Sequence, residues 1–160
     1  MKTRILIAAL LGLLGPVSLS GRAQTGPTDS VEPMAKVTLH LGKASLTTEI
    51  AASSAQEERG LMYRVKLGDN DGMIFILPTV TRATFWMKNT LIPLSIAFID
   101  KNGVILEIHD MKSMDETLTR SDSDQVAYAL ETNLHWFALN GIKAGDKITP
   151  PPGTLAKPVP

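Results

Sequence analysis

Two apolar runs, Leu94–Asp100 and Val104–Asp110, meet across Lys101-Asn102-Gly103. Asn-Gly between alternating or apolar runs is the strongest short-range signal for a tight antiparallel hairpin, because both central positions favour a positive φ. This feature limits what the chain can become. The same grammar recurs along it, with short runs cut by turn residues. Val37–Leu41 and Leu46–Ile50 alternate apolar and polar residues around Gly42-Lys43, which predicts another hairpin. Met73–Leu77, closed by Pro78, Thr84–Lys88, Gln125–Thr132 and Asp146–Thr149 read as further strands. Ser54-Ala55-Gln56-Glu57 reads as a capping box that opens a short helix to about Tyr63. A second short helix is expected from about Leu134 to Asn140, with Gly141 in the left-handed position that ends it. The expected fold is mainly β: a small jelly-roll-like sandwich or partly closed barrel of short, mostly antiparallel strands with two short helices.

The ends of the chain read differently. Lys2 and Arg4 precede the apolar run Ile5–Leu14, Gly15-Pro16 breaks it, and Gly21-Arg22-Ala23 places small residues where a leader is cut. Residues 1–23 are therefore expected to be a signal peptide, and the protein periplasmic or secreted after cleavage. Ten apolar residues are too few to span a bilayer well, so no stable membrane insertion is expected afterwards. Residues 24–35 read as a flexible linker, 36–149 as a single β-rich domain, and 150–160 as a Pro-rich extended tail without a core role. Of the 16 basic residues, Lys2, Arg4 and Arg22 fall within the leader, which leaves 13 against 16 acidic ones. That mild acidity, with no basic tract, argues against nucleic acid as a partner. The chain has no cysteine, so disulfides, thiolate metal sites and thiol nucleophiles are excluded.

The opposite of punctuation occurs at Phe85–Asp100, FWMKNTLIPLSIAFID, where Lys88-Asn89-Thr90 interrupts the most apolar segment of the core. With Arg59-Gly60-Leu61-Met62-Tyr63-Arg64, Gly72-Met73-Ile74-Phe75, Ile92-Pro93-Leu94, Phe98-Ile99-Asp100, Gly141-Ile142 and Gly145-Asp146, this block resembles the domain of unknown function 192 family. The resemblance runs in order from about Glu49 to Ile148. It implies a small jelly-roll-like domain, often exported, with no settled activity. Two departures stand out. Ser95 occupies a place where the family usually has aspartate, and Thr132-Asn133-Leu134-His135 replaces a Gly-containing stretch.

Several side chains are candidates for chemistry. In an extended Phe85–Asn89, Trp86 and Lys88 share a face, a platform for a ligand with an anionic and an apolar part; alternatively Trp86 caps the core. Asn89 and Thr90 suit a corner in which they bond local backbone while lining the rim of a site. Arg64 suits an anionic ligand, or a structural pair with Glu131. Glu131 shares a strand face with Ala127 and Ala129, so its carboxyl sits over a pocket or satisfies Arg64. Glu107 and His109 share a face, the minimum for general acid–base work. His109, Met111 and Met114 form an H-x-M-x-x-M pattern that would suit Cu(I), although methionine more commonly fills irregular cores. No catalytic motif is present and no cofactor is expected. The leading reading is an exported small-ligand-binding or accessory module. The alternatives are a hydrolase of cell-envelope or carbohydrate substrates and a Met/His copper-handling protein.

Overall fold

The structure is a computed structural model that describes residues 34–155. The expected signal peptide, most of the linker and the last five residues of the tail lie outside the described residues. The elements in chain order are β1 (Lys36–Leu41), β2 (Ala44–Ala51), α1 (Ser54–Arg59), β3 (Asp71–Thr81), β4 (Thr84–Phe85), β5 (Leu94–Ile99), β6 (Ile105–Met111), β7 (Thr119–Arg120), β8 (Val126–Asn133), α2 (Trp136–Leu139) and β9 (Ile148–Thr149). Seven strands form one sheet in the order β6-β5-β8-β3-β2-β1-β9, and β4 pairs with β7 apart from it. All pairings are antiparallel except β2 with β3, which run parallel on either side of α1.

The sheet curls until its two ends meet. The Ile148 N–H donates to the Gly103 carbonyl at 2.8 Å, and the Ile105 N–H to the Asp146 carbonyl at 2.8 Å. β9 therefore pairs with β1 on one side and touches the start of β6 on the other. The result is the expected mainly β, partly closed barrel with two short helices. Gly103 makes the closure possible. Its φ is +82°, as the Asn-Gly turn demands, and a Cβ there would stand 3.0 Å from the Ile148 carbonyl oxygen.

Curling gives the sheet two faces with separate cores. Leu39, Leu46, Ile74, Ile99, Leu130 and Phe137 belong to one cluster. Leu61, Phe75, Met87, Ile96, Phe98 and Met111 belong to the other. β5 and β8 are covered on both faces: all six residues of β5 and seven of the eight in β8 are buried. Their near-continuous apolar sequences follow from that double burial.

Local readings shift in several places. The helix cap is Ser53 rather than Ser54: its side chain accepts from the Gln56 N–H, and the Gln56 side chain reaches back to the Ser53 N–H. The helix ends at Arg59, not near Tyr63. Pro78 does not close β3, which runs to Thr81 through an irregularity between Ile76 and Thr81 in its pairing with β8. A proline without an N–H is accommodated where the ladder is interrupted. β4 stops at Phe85, so Trp86–Lys88 is not strand. At the borders, the Ile50 N–H donates to Ala35 and Met34 packs on the second cluster, so the last linker residues belong to the domain. Leu155 packs on the first cluster, so the start of the tail has a core role.

Gly72 sits where β3 crosses β8, and a Cβ there would stand 2.6 Å from the Glu131 carbonyl oxygen. Backbone on both sides cannot yield without breaking the ladder. Gly72→Ala is expected to lower the unfolding free energy by about 2 kcal/mol or more in denaturant titrations, as overpacking does.

Candidate functional site

The pairing registers place side chains in rows across the second face. Glu49 stands opposite Met73, Met73 opposite Glu131, Glu131 opposite Ile96, and Ile96 opposite His109. One row of a sheet thus carries two glutamates and a histidine. The three meet different fates.

Glu49 takes Arg64. The guanidinium grips the carboxylate with two parallel hydrogen bonds, Nη1 to Oε1 at 2.9 Å and Nη2 to Oε2 at 2.5 Å. The Arg64 hydrogen bond holds the Glu49 carboxyl below the usual range against the opposing effect of burial. This corrects the pairing of Arg64 with Glu131. Glu49 stands on the far side of β3 from Glu131, and the parallel insertion of β2 beside β3 brings it under Arg64.

His109 takes Glu107. Its Nε2 lies 2.7 Å from Glu107 Oε2. Glu107 also accepts from the backbone N–H groups of Asp122 at 3.0 Å and Ser123 at 3.1 Å. Burial pushes the Glu107 carboxyl up, but the bonds from His109, Asp122 and Ser123 prevail and hold it low. Glu107 therefore anchors the loop before β8. Met111 is buried in the second cluster and Met114 is exposed at a turn with φ 60°. Among the described residues, no group of three His, Asp or Glu side chains is arranged to hold a metal ion.

Glu131 takes nothing. It is 4% exposed and makes no side-chain hydrogen bond or ion pair among the described residues. Burial alone raises its carboxyl to about 8. It lines a pocket with residues 57–62, Phe75, Phe85, Trp86 and Thr90. The pocket is a small cleft open to solvent, with about 280 Å³ of space between its walls. No buried side-chain oxygen among the described residues is sealed off without a partner, so the Glu131 carboxyl opens onto this space.

The two sequence blocks carrying the resemblance build the walls and are stitched to each other. The Tyr63 N–H donates to the Asn89 carbonyl at 2.8 Å, and the Asn89 amide donates to the Tyr63 hydroxyl at 2.9 Å. Asn89 has φ 55° and Tyr63 φ 64°. Asn89 therefore serves the corner, but through Tyr63 rather than through local backbone. Thr90, buried, does bond locally, donating to the Lys88 carbonyl at 3.3 Å. Lys88 Nζ lies 5.0 Å from the centre of the Trp86 ring, so the expected Lys–Trp platform forms as a cation–π contact, with Trp86 41% exposed.

Of the sequence candidates, Trp86, Thr90 and Glu131 line the pocket; Arg64, Lys88, Asn89 and Glu107 do not. Sequence reasoning missed Glu57, Glu58, Arg59, Phe75 and Phe85. Glu57 was hidden by its assignment to the helix cap, which Gln56 performs.

The two departures touch one another on the opposite face. Ser95 donates to Asp110 Oδ1 at 2.5 Å and accepts from the His135 N–H at 2.8 Å. His135, in the left-handed region at φ 65°, places Nδ1 3.0 Å from Asp110 Oδ2.

Glu131 has a clear signature in stability. A raised acid stabilises the fold fully below its unfolded value near 4.5, and this contribution is lost as pH rises through about 8. Wild type is therefore expected to lose roughly 4 kcal/mol between pH 4.5 and pH 8 relative to Glu131→Gln. Chemical denaturation of both proteins across that range checks it; parallel curves would show an unperturbed carboxyl.

Comparison with known proteins bears on the fold and the family. The chain is 33% identical to a Sinorhizobium meliloti 1021 protein described as a candidate transcription regulator. That match covers 76% of this chain and 98% of the other, at a TM-score of 0.72. The chain is 36% identical to a Novosphingobium aromaticivorans DSM 12444 protein of unknown function, over 72% of this chain and 84% of that one, at a TM-score of 0.65. No curated protein matches. The family model described as "Uncharacterized ACR" matches residues 37–150, and the chain belongs to that family, the domain of unknown function 192 family.

Proposed function

We propose that this chain is an exported small-ligand-binding module whose ligand enters the Glu131 pocket. The carrying observation is Glu131 itself. A carboxyl buried without a partner destabilises the fold, and an apolar residue at that place would not. Such a group is the usual mark of a site that completes its interactions with something else. The pocket is assembled from the Arg59–Arg64 and Phe85–Thr90 segments, and the Asn89–Tyr63 bonds hold those segments in register. A cleft in which ring side chains stand beside a few converging charged groups supports binding.

A hydrolase reading has less support. Glu107, its other carboxyl, is committed to His109 and two backbone N–H groups. The regulatory description of the S. meliloti protein has no counterpart in this sequence, which lacks a basic tract. Export rests on the pattern of residues 1–23.

Two measurements test the proposal. Native protein recovered from the producing cell, then denatured, is expected to release one small molecule in near-stoichiometric amount by mass spectrometry. Trp86→Ala protein is expected to release much less. Wild type that repeatedly carries nothing beyond solvent would overturn the binding role. The intact mass of the native protein is expected to correspond to a chain beginning near Gln24; a full-length mass in the membrane fraction would overturn export.

A further inference from the structure

The pocket has a charge imbalance that its surroundings do not correct. Glu131 forms its floor, and Glu57 and Glu58 from α1 line its wall. Arg59 is the one base among the lining residues. Of the other bases nearby, Arg64 is engaged by Glu49, His109 by Glu107, and Lys88 over the Trp86 ring, while Arg82 stands at the far end of the adjoining cleft. Burial raises the Glu57 carboxyl as it does that of Glu131. The remaining walls are rings. Phe75 and Phe85 meet edge to face at 5.0 Å, and Trp86 stands beside them. A second cleft of about 790 Å³ shares Glu57, Glu58, Phe75, Phe85 and Trp86 with the first and runs on to Arg82. The two form a continuous groove, narrow and acidic at the Glu131 end, wider and more apolar beyond.

We propose that this groove takes a small organic ammonium ion with an apolar or aromatic body, its nitrogen at Glu131 and its body along Phe75, Phe85 and Trp86. The inference rests on the ligand-binding reading above. A carboxylate and ring faces in a desolvated site are the two groups that attract an ammonium most strongly. Thr90 adds an acceptor: its hydroxyl hydrogen goes to the Lys88 carbonyl, which leaves the oxygen lone pairs available. At the Glu131 end an anionic ligand would instead face three carboxyl groups against the one guanidinium of Arg59. This reverses the expectation drawn from Lys88 and Trp86 in sequence.

The proton balance is explicit. At neutral pH, Glu131 is held largely as the acid. When the ammonium enters, the Glu131 O–H proton leaves to solvent, and the resulting carboxylate pairs with the R–NH3+ group. One proton is released and no covalent bond to the ligand forms. Alkylammonium ions stay protonated throughout the range of interest.

Titration calorimetry on the intact protein tests this with three probes of similar shape: 2-phenylethylammonium, 2-phenylethanol and 3-phenylpropionate. Buffers of different ionisation heat report the protons released. Affinity for the ammonium is expected to rise about fiftyfold from pH 6 to pH 8, following the ionised fraction of Glu131, with about one proton released per ligand at pH 6. The alcohol and the carboxylate are expected to bind at least tenfold more weakly at pH 8. Glu131→Gln, which keeps the shape of the side chain, should abolish proton release and weaken the ammonium at least tenfold. Trp86→Ala, at a half-exposed position, should weaken it while leaving proton release intact. Tighter binding of the alcohol or the carboxylate would overturn the ammonium class and leave the pocket reading standing. Ammonium binding unchanged in Glu131→Gln would place it elsewhere and overturn the proposal. Failure of all three probes would also overturn it, whereas the pocket reading is decided separately by the co-purifying molecule.

Discussion

A carboxyl on a strand buried on both faces governs this molecule. Glu131 lies on β8, between β3 and β5, where neither face of the sheet reaches solvent directly. Double burial makes β8 a costly place for a charge. The pocket exists because α1 and the Phe85–Thr90 corner wall the space beside that carboxyl without filling it. Where acids of the same face have partners the outcome is opposite. Glu49 under Arg64 and Glu107 under His109 and two N–H groups are held low, whereas Glu131 is raised by burial alone. Three glutamates on one face therefore divide into two fasteners and one carboxyl raised by burial, and the environment decides which.

Much of this was legible before the coordinates. Strands β1, β2, β5, β6 and β8 follow the alternating or continuous apolar runs, and the Asn102-Gly103 hairpin sits where its residues place it. Gly141 ends α2 with φ +70°. The family followed from blocks of sequence dense in specific residues. The illegible parts share a cause, which is that they depend on neighbours distant in sequence. Nothing in Leu46–Ile50 announces that β2 will lie parallel to β3, yet that neighbour relation delivers Glu49 to Arg64 and leaves Glu131 alone. β7 has two residues and no periodicity to detect. The Trp86–Lys88 contact was inferred from strand alternation, and it forms although the segment is not strand.

The departures at Ser95 and His135 also gain a physical sense. Both were separate oddities in the sequence, 40 positions apart. In the fold they share one hydrogen-bonded cluster with Asp110, and Ser95 both donates and accepts within it. A histidine in the left-handed region is strained relative to glycine, and its contacts to Ser95 and Asp110 oppose that strain. The two positions meet through Asp110, which accepts from Ser95 and lies against the His135 ring, while the bond between Ser95 and residue 135 uses only the backbone N–H of the latter.

The meeting of the sheet's ends at Gly103 and Ile148 sets the order in which the domain can be completed. β9 is the last strand along the chain, and it pairs with β1, the first, while touching the start of β6. The hairpins of β1–β2 and β5–β6 can form locally, but the barrel cannot close until the residues near position 148 are available. Pairings of such long sequence separation place a β domain among the slower folders, on the millisecond-to-second scale. A nascent chain would thus remain open, and accessible to proteases and chaperones, until its final segment emerges. Shape arrives all at once, at the end of synthesis, rather than being accumulated along the way.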